Sequence, residues 1–108
     1  MINFFFISSY NNEWMIVDYK QFSAGEPLKD GLLTVLEQLP GQTVWNDKTD
    51  VLRSETYWPS YNIAYYPEVY NISGTYDAFL KYGSFFSYSE SPRASIFRRD
   101  HVKVVDID

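Results

Sequence analysis

The sequence Thr56-Tyr57-Trp58-Pro59-Ser60-Tyr61-Asn62-Ile63 packs three aromatic rings, a proline and an amide into eight residues. Rigid aromatic groups with polar tips build the wall of a pocket more often than a generic strand. Because Pro59 lacks a backbone N–H and biases Trp58 toward an extended conformation, the segment is predicted to be a shaped connection that ends at Asn62. A buried asparagine must satisfy both a donor and an acceptor, so Asn62 is predicted to be either a structural tie for the loop or an aimed hydrogen-bond donor.

Two apolar runs ahead of this segment predict neighbouring strands. The run from Trp14 to Tyr19 is bounded by turn-forming residues, which is typical of a strand covered on both faces. A second run from Gly31 to Gln38 follows a loop at Ser23–Pro27, so the two strands are expected to be antiparallel neighbours. Leu39-Pro40-Gly41 is expected to close the second strand, and Val44-Trp45 is a candidate for a brief third strand.

Short helices are predicted on either side of the aromatic segment. The first spans Asp47 to Glu55, with Asn46 or Asp47 as its N-cap and with Val51 and Leu52 as its apolar contacts. The second helix has an apolar face, and residues that favour cap positions stand at its start and its end. The face is Tyr76, Phe79 and Leu80; the caps are Ser73 or Thr75 at the start and Gly83 at the end.

A third helix is predicted to begin at Ser91-Pro92, where a hydroxyl caps the helix and proline takes its first position. Ile96 and Phe97 would then face inward, and Arg98-Arg99 would lie at the end that favours positive charge. The last residues, Val102 to Ile107, are predicted to be a final strand or a tail. Strands first and short helices afterwards predict an α+β arrangement of layers.

Composition limits the classes of function that the chain can have. A length of 108 residues favours one domain, and a net charge of −5 without a large basic cluster argues against a nucleic-acid partner. The sequence has no cysteine, so disulfides, thiolate metal sites and a cysteine nucleophile cannot come from it. The apolar run Phe4–Ile7 is too short to span a bilayer and lacks the basic region and the small-residue cleavage site of a secretory signal, so neither a transmembrane segment nor a signal peptide is predicted.

Most polar residues that invite a chemical role have a simpler interpretation. His101 lacks a nucleophile pattern nearby and is predicted to be a surface histidine, and no spacing of ligands predicts a metal site or a cofactor. Asp47 and Asp50 are predicted to be solvated residues at a helix start. Arg93 differs, because its charge gains nothing from the dipole at the start of its helix; either a surface role or a specific anionic partner accounts for it.

Asn71-Ile72-Ser73 is an N-glycosylation sequon, and it is predicted to lie in a polar turn before a helix. A glycan at such a turn would be solvated. Sequons also arise by chance, so the motif alone leaves glycosylation open.

Several blocks of the sequence together resemble the phospholipase B-like family, also called the lamina ancestor proteins. The blocks occur in the family's order across residues 8–106 and are Tyr10–Asp18, Lys48–Arg53, Tyr57–Asn62, Tyr70–Gly74 and Ser91–Asp100. Residues 1–7 do not resemble the family, and Glu13 stands where the family's pattern has glutamine. The resemblance therefore implies that residues 1–108 are a partial phospholipase B-like domain from the C-terminal portion of the fold.

That resemblance implies an N-terminal nucleophile hydrolase, in which two antiparallel sheets are stacked between helical layers. Self-cleavage would leave a cysteine at a new N-terminus, and the block that carries this nucleophile is absent from the present sequence. The family is lysosomal or secreted, is glycosylated, and hydrolyses acyl esters or amides in lipid degradation. The implied partners are a phospholipid or acyl-amide substrate and the remainder of the hydrolase fold.

The family's motifs map onto a small set of candidate site residues. Asn62 resembles a pocket amide suited to an oxyanion or positioning role, and Asn11 or Asn12 is a candidate for a second such group. Arg93 is the candidate guanidinium that orients the site, and Asn71 matches a position where the family carries a sequon. On this interpretation the chain alone is an inactive part of a hydrolase. The alternative is a non-catalytic module that binds lipid or protein through its aromatic surface.

Overall fold

A computed structural model describes residues 12–104, and the chain divides into two compact units. The first unit ends at Trp58 and the second begins at Pro59. The boundary therefore falls inside the aromatic segment from Thr56 to Ile63. The predicted coarse class is confirmed, because the described chain is a mixed α/β structure with antiparallel strands followed by helices.

The first unit contains a three-stranded antiparallel sheet in the order β1-β2-β3. Its strands are β1 (Asn12–Val17), β2 (Leu33–Leu39) and β3 (Gln42–Asp47). The predicted pairing of the two apolar runs is confirmed, and the turn at Pro40-Gly41 joins β2 to a third strand longer than the predicted one.

Burial in the sheet is concentrated on one face of β2. Leu33, Val35 and Leu39 are buried, and the side chains that alternate with them are more exposed. The prediction that the first run is covered on both faces is wrong, because Met15 and Val17 are about half exposed. Among the described residues β1 pairs only with β2, so it lies at an edge of the sheet and lacks the neighbours that bury the central strand.

The first helix, α1 (Thr49–Glu55), follows β3 directly. Neither predicted residue occupies the N-cap position, which is Lys48 and makes no side-chain cap. Asp47 nevertheless satisfies the helix start from one position earlier, because its Oδ1 accepts a hydrogen bond from the Thr49 backbone N–H at 3.0 Å. The helix ends at Thr56, whose φ of 71° lies in the left-handed region.

The second unit is helical and contains α2 (Pro67–Ile72), α3 (Thr75–Tyr82) and α4 (Pro92–Asp100). Its buried side chains are Tyr61, Tyr66, Val69, Ser91 and Ala94. Short 3-10 turns cover 84–86 and 101–103. None of the helices between residues 12 and 104 is long and apolar enough to cross a bilayer.

Sequence patterns located α3 but not its first cap. Gly74 occupies the N-cap position with a φ of 84°, between the two predicted cap residues Ser73 and Thr75. The Ser73 hydroxyl instead donates to the Tyr70 carbonyl at 3.2 Å. Gly83 is the C-cap, as predicted. Two residues of the predicted apolar face, Tyr76 and Leu80, are exposed.

The start of α4 is confirmed in detail, since Ser91 Oγ accepts a hydrogen bond from the Ala94 N–H at 3.3 Å. The predicted inward residues are wrong: Ile96 and Phe97 are exposed, and the buried position belongs to Ala94. Beyond the first turn the side chains of α4 are mostly exposed, although the ring of Phe97 still packs on the buried Tyr61 ring. The strand option for 102–107 is wrong at residues 102 and 103, which form a 3-10 turn; residues 105–107 lie outside the described residues.

Candidate functional site

Asn62 lies on a connection whose backbone is anchored at two residues just before it. Pro59 offers its carbonyl to the Tyr88 hydroxyl at 3.3 Å, and the Tyr61 carbonyl accepts a hydrogen bond from the Arg93 guanidinium at 3.4 Å. The Tyr61 ring is buried, with its centroid 5.1 Å from that of Tyr88 and 5.6 Å from that of Phe97. The backbone that carries Asn62 is therefore anchored by the residue immediately before it.

The Asn62 side chain itself is exposed, and its backbone has a φ of 63°. Asparagine is one of the few residues other than glycine that tolerate this left-handed conformation. The expectation of a buried asparagine is wrong: Tyr61 takes the interior position, and the side chain of Asn62 is exposed. The Asn62 amide makes no hydrogen bond to the residues that the structure describes, so its donor and acceptor are available to a ligand.

Arg93 is the second residue of α4 and is exposed. One guanidinium nitrogen contacts the carbonyl of Tyr61, so the cation is held beside the backbone that leads into Asn62. A carbonyl is a neutral acceptor and uses only one of the five guanidinium N–H groups. The structure thus brings Asn62 and Arg93, which sequence reasoning selected separately, to the same short connection.

The other amide candidates belong to the first unit or lie outside the described residues. Asn12 is the exposed first residue of β1 and is opposite Gln38 in the sheet. Asn11 lies outside the described residues. Asn12 belongs to the first unit, and Asn62 and Arg93 belong to the second.

An ordered carboxylate that sequence reasoning treated as solvated lies at the end of β3. Asp47 Oδ1 accepts hydrogen bonds from the backbone N–H and the hydroxyl of Thr49, and Asp47 Oδ2 accepts one from the Gly31 N–H at 2.7 Å. The Thr49 hydroxyl in turn accepts from the Leu33 N–H at 3.1 Å. These hydrogen bonds, led by that of the Thr49 side chain, lower the pKa of Asp47 because they stabilise its charged form. The signal in the sequence was the Asp-x-Thr spacing.

Glu13, which stands where the family's pattern has glutamine, contacts the aromatic segment. Its carboxylate accepts a hydrogen bond from the indole N–H of Trp58 at 3.0 Å. A glutamine at this position also offers a side-chain oxygen as acceptor, so the substitution preserves the hydrogen bond to the aromatic segment. In the sheet register Glu13 lies opposite Glu37, which is buried.

A shallow groove of about 400 Å³ crosses the open face of the sheet in the first unit. Its lining residues are Trp14, Ile16, Leu36, Gln38 and Thr43. Three of these five side chains are apolar, and none is charged. Sequence reasoning missed the groove, because alternation along one strand does not reveal which face a second layer covers.

The remaining polar features agree with structural roles. Among residues 12–104 there is no group of three or more histidine or acidic side chains that could hold a metal ion. The His101 ring stacks on Phe97 with centroids 5.9 Å apart and is partly exposed. Asp100 has its pKa lowered to about 2, because Arg99 and Lys103 donate hydrogen bonds to it. Asn71, the sequon residue, is exposed at the end of α2 and not in a turn as predicted.

Comparison with known proteins agrees with the resemblance found in the motifs. Residues 5–108 match the model of the family described as Phospholipase B. The phospholipase B-like 2 protein of Rattus norvegicus is 50% identical over 101 residues, which are 93% of this chain and 17% of that protein. The phospholipase B-like 1 protein of Caenorhabditis elegans is 48% identical over 92% of this chain and 18% of its own length. Phospholipase-B 81 of Drysdalia coronoides is 46% identical over 93% of this chain and 18% of its own length.

The described chain is a mixed α/β segment. Its candidate polar site consists of Asn62 and Arg93, which lie at the same anchored connection. The family match includes the whole of that segment. The chain belongs to the phospholipase B family. It spans less than a fifth of the length of the curated relatives that it matches.

Proposed function

We propose that this chain is part of a phospholipase B-like hydrolase of the N-terminal nucleophile class and supplies polar groups around a reacting carbonyl. The observation that carries the proposal is the match of residues 5–108 to the Phospholipase B family, at about half identity to relatives several times longer. The sequence has no cysteine, so the attacking thiolate would come from polypeptide outside this sequence. Its substrate class would be acyl esters or acyl amides of lipids.

The described geometry supports a specific task for Asn62. In acyl transfer the carbonyl oxygen gains negative charge as the nucleophile attacks, and fixed donors aimed at that oxygen lower the barrier. The backbone of Asn62 is anchored, and substrate binding would order its exposed amide as such a donor. Arg93 holds the carbonyl of Tyr61 and is proposed to position Asn62 through it.

The proposal also includes the finer properties that the resemblance implies. The sheet and helices would belong to stacked αββα layers, and the mature protein would be lysosomal or secreted. Phospholipid or acyl amide would be the substrate, and the remainder of the hydrolase would be the partner that completes the site.

The test compares this chain alone with a chimera. In the chimera, the matched 101 residues of the rat relative are replaced by the aligned residues of this chain. We expect the isolated chain to hydrolyse neither a lysophospholipid nor an acyl amide, and we expect the chimera to hydrolyse at least one of them. Hydrolysis by the purified chain alone, abolished by Asn62→Gly, would contradict the proposal that the nucleophile lies elsewhere.

Asn62→Gly in the chimera separates the amide from the backbone conformation, since glycine accepts the left-handed φ without strain. Loss of one oxyanion donor is expected to lower kcat by roughly 10²- to 10³-fold with little change in KM. Asn46→Ala, at another exposed asparagine, is the matched control and should retain activity. Full kcat in the Asn62→Gly chimera would remove Asn62 from the site.

Asn71 is proposed to carry an N-linked glycan when the protein passes through the secretory pathway. Its side chain is exposed at the end of α2, where a glycan would reach solvent. The chimera secreted from animal cells should lose the mass of one glycan in the Asn71→Gln variant, as measured by intact mass before and after endoglycosidase treatment. Gln38→Asn, which creates no sequon, is the control; an unchanged glycan mass in Asn71→Gln would count against the assignment.

A further inference from the structure

One face of the sheet in the first unit is apolar and open to solvent. The register places Trp14 opposite Leu36, and Leu36 opposite Trp45, so these side chains form a row across all three strands. Ile16 lies two residues along β1 on the same side. We call this surface the tryptophan face: the outward side chains of Trp14, Ile16, Leu36 and Trp45, with Gln38 and Thr43 at its groove.

The exposure of these side chains is unusual for a finished sheet surface. Trp14 is 57% exposed, Ile16 53% and Trp45 66%, whereas Val35 on the opposite face of β2 is 0% exposed. Antiparallel sheets with one solvated face normally place polar side chains on it. A contiguous apolar row of this kind marks an interaction surface.

The chemistry of the face selects among possible occupants. None of its six side chains is charged, so it lacks the basic groups that draw a protein to an anionic membrane surface. Three strands about 4.8 Å apart and some 20 Å long cover roughly 300 Å² in flat projection. A stable dimer needs about 800 Å² from each partner, so a second copy of this chain is a poor fit.

Length supplies the remaining argument, because the relatives contain far more polypeptide than this chain does. The matched residues are 93% of this chain but only 17% of the rat relative. We propose that the tryptophan face is the internal surface on which the remainder of a phospholipase B-family polypeptide packs, through uncharged apolar side chains. This inference rests on the proposal that the chain functions as part of a longer hydrolase.

The test uses the absence of cysteine from this sequence. Ile16→Cys is introduced into the isolated chain and into the chimera with the rat relative, and the rate of maleimide labelling is read for that peptide by mass spectrometry. Lys20→Cys, in the exposed turn after β1, is the matched control. We expect the Ile16→Cys rate to fall about tenfold or more in the chimera, because reaction then requires local opening, and the control rate to change by less than about twofold.

Other outcomes would overturn the proposal. Equal Ile16→Cys rates in the two proteins would mean that the remainder does not cover the face. Protection in the isolated chain that grows with its concentration would assign the face to a second copy, and protection only with phosphatidylcholine vesicles would assign it to lipid.

A second measurement does not depend on the chimera folding. The isolated chain is co-expressed with the rat relative from which the matched residues are deleted, and the two are purified together. Trp14→Ser with Ile16→Ser should abolish co-purification, whereas the off-sheet pair Tyr19→Ser with Phe22→Ser should preserve it. Co-purification that survives the Trp14 and Ile16 changes would contradict the proposal.

Hydrolysis is scored separately, so that the two proposals can fail independently. A chimera that protects Ile16→Cys but hydrolyses nothing would contradict the proposed function alone. A chimera that is active while Ile16→Cys stays reactive would contradict the assignment of the face alone.

Discussion

Asp47 joins the end of β3 to two other parts of the first unit through one carboxylate. It accepts hydrogen bonds from Thr49 at the start of α1 and from Gly31 just before β2. Asp47→Ala leaves these donors without their acceptor, and we expect the free energy of unfolding at pH 7 to fall by about 2 kcal/mol, as measured by urea denaturation.

The pH dependence of that effect has a definite sign. The pKa of Asp47 in the folded chain lies below its ordinary value of 3.8, so the carboxylate stabilises the fold above that pH. The stabilisation is lost as the pH falls through the lowered folded pKa. The difference between wild type and Asp47→Ala should therefore be constant near neutral pH and shrink below pH 3.8. Asp50→Ala, at an exposed neighbour, is the control; an equal effect there would indicate helix-dipole electrostatics instead.

At the same scale, the sequence predicted the chemical type of the candidate site better than its exposure. The Trp-Pro pair correctly predicted a shaped connection, because proline acts locally on its own backbone and on the residue before it. Whether Tyr61 or Asn62 points inward depends on Tyr88 and Phe97, which lie far along the chain and pack on the Tyr61 ring. For the left-handed φ of Asn62 the residue type itself is the local signal, because asparagine tolerates that conformation better than most residues.

At the scale of single elements, local sequence signals predicted where an element begins, but they did not predict which of its side chains are buried. Ser91-Pro92 located the start of α4 because a capping hydroxyl and a first-turn proline need no distant partner. The inward residues of α4 were wrong, because the surrounding core decides which face is buried. The six-residue α2 was missed, since its single buried apolar residue, Val69, gives no periodicity.

Ser91 offers the element-scale prediction. Its hydroxyl is buried and accepts from the Ala94 N–H, so Ser91→Ala should lower the free energy of unfolding by about 1 kcal/mol. Circular dichroism during urea denaturation measures the change. Ser95→Ala, on the exposed surface of the same helix, should change it by less than about 0.5 kcal/mol. Equal losses in both variants would attribute the effect to helix propensity and not to the cap.

At the scale of the whole molecule, the division at Trp58 was beyond reach of the sequence, since no linker composition marks it. The antiparallel order of the sheet was predictable because no crossover helix is predicted between the apolar runs, and because the two-residue turn at Pro40-Gly41 joins β2 to β3. The open tryptophan face was not, because an apolar strand reads the same whether its cover lies within the chain or outside it.

The open face leads to a prediction for the isolated chain. Replacing Trp14, Ile16 and Trp45 by threonine keeps residues that favour strands and removes half-exposed apolar surface. We expect dye binding and aggregation to fall, with a change of about 1 kcal/mol or less in the free energy of unfolding. Val35→Thr, which puts a hydroxyl into the buried face of the same sheet, should instead raise dye binding and cost roughly 1–3 kcal/mol. If the triple variant binds dye as strongly as wild type, the dye-binding apolar surface lies in the second unit, where Leu80 and Phe85 are also exposed.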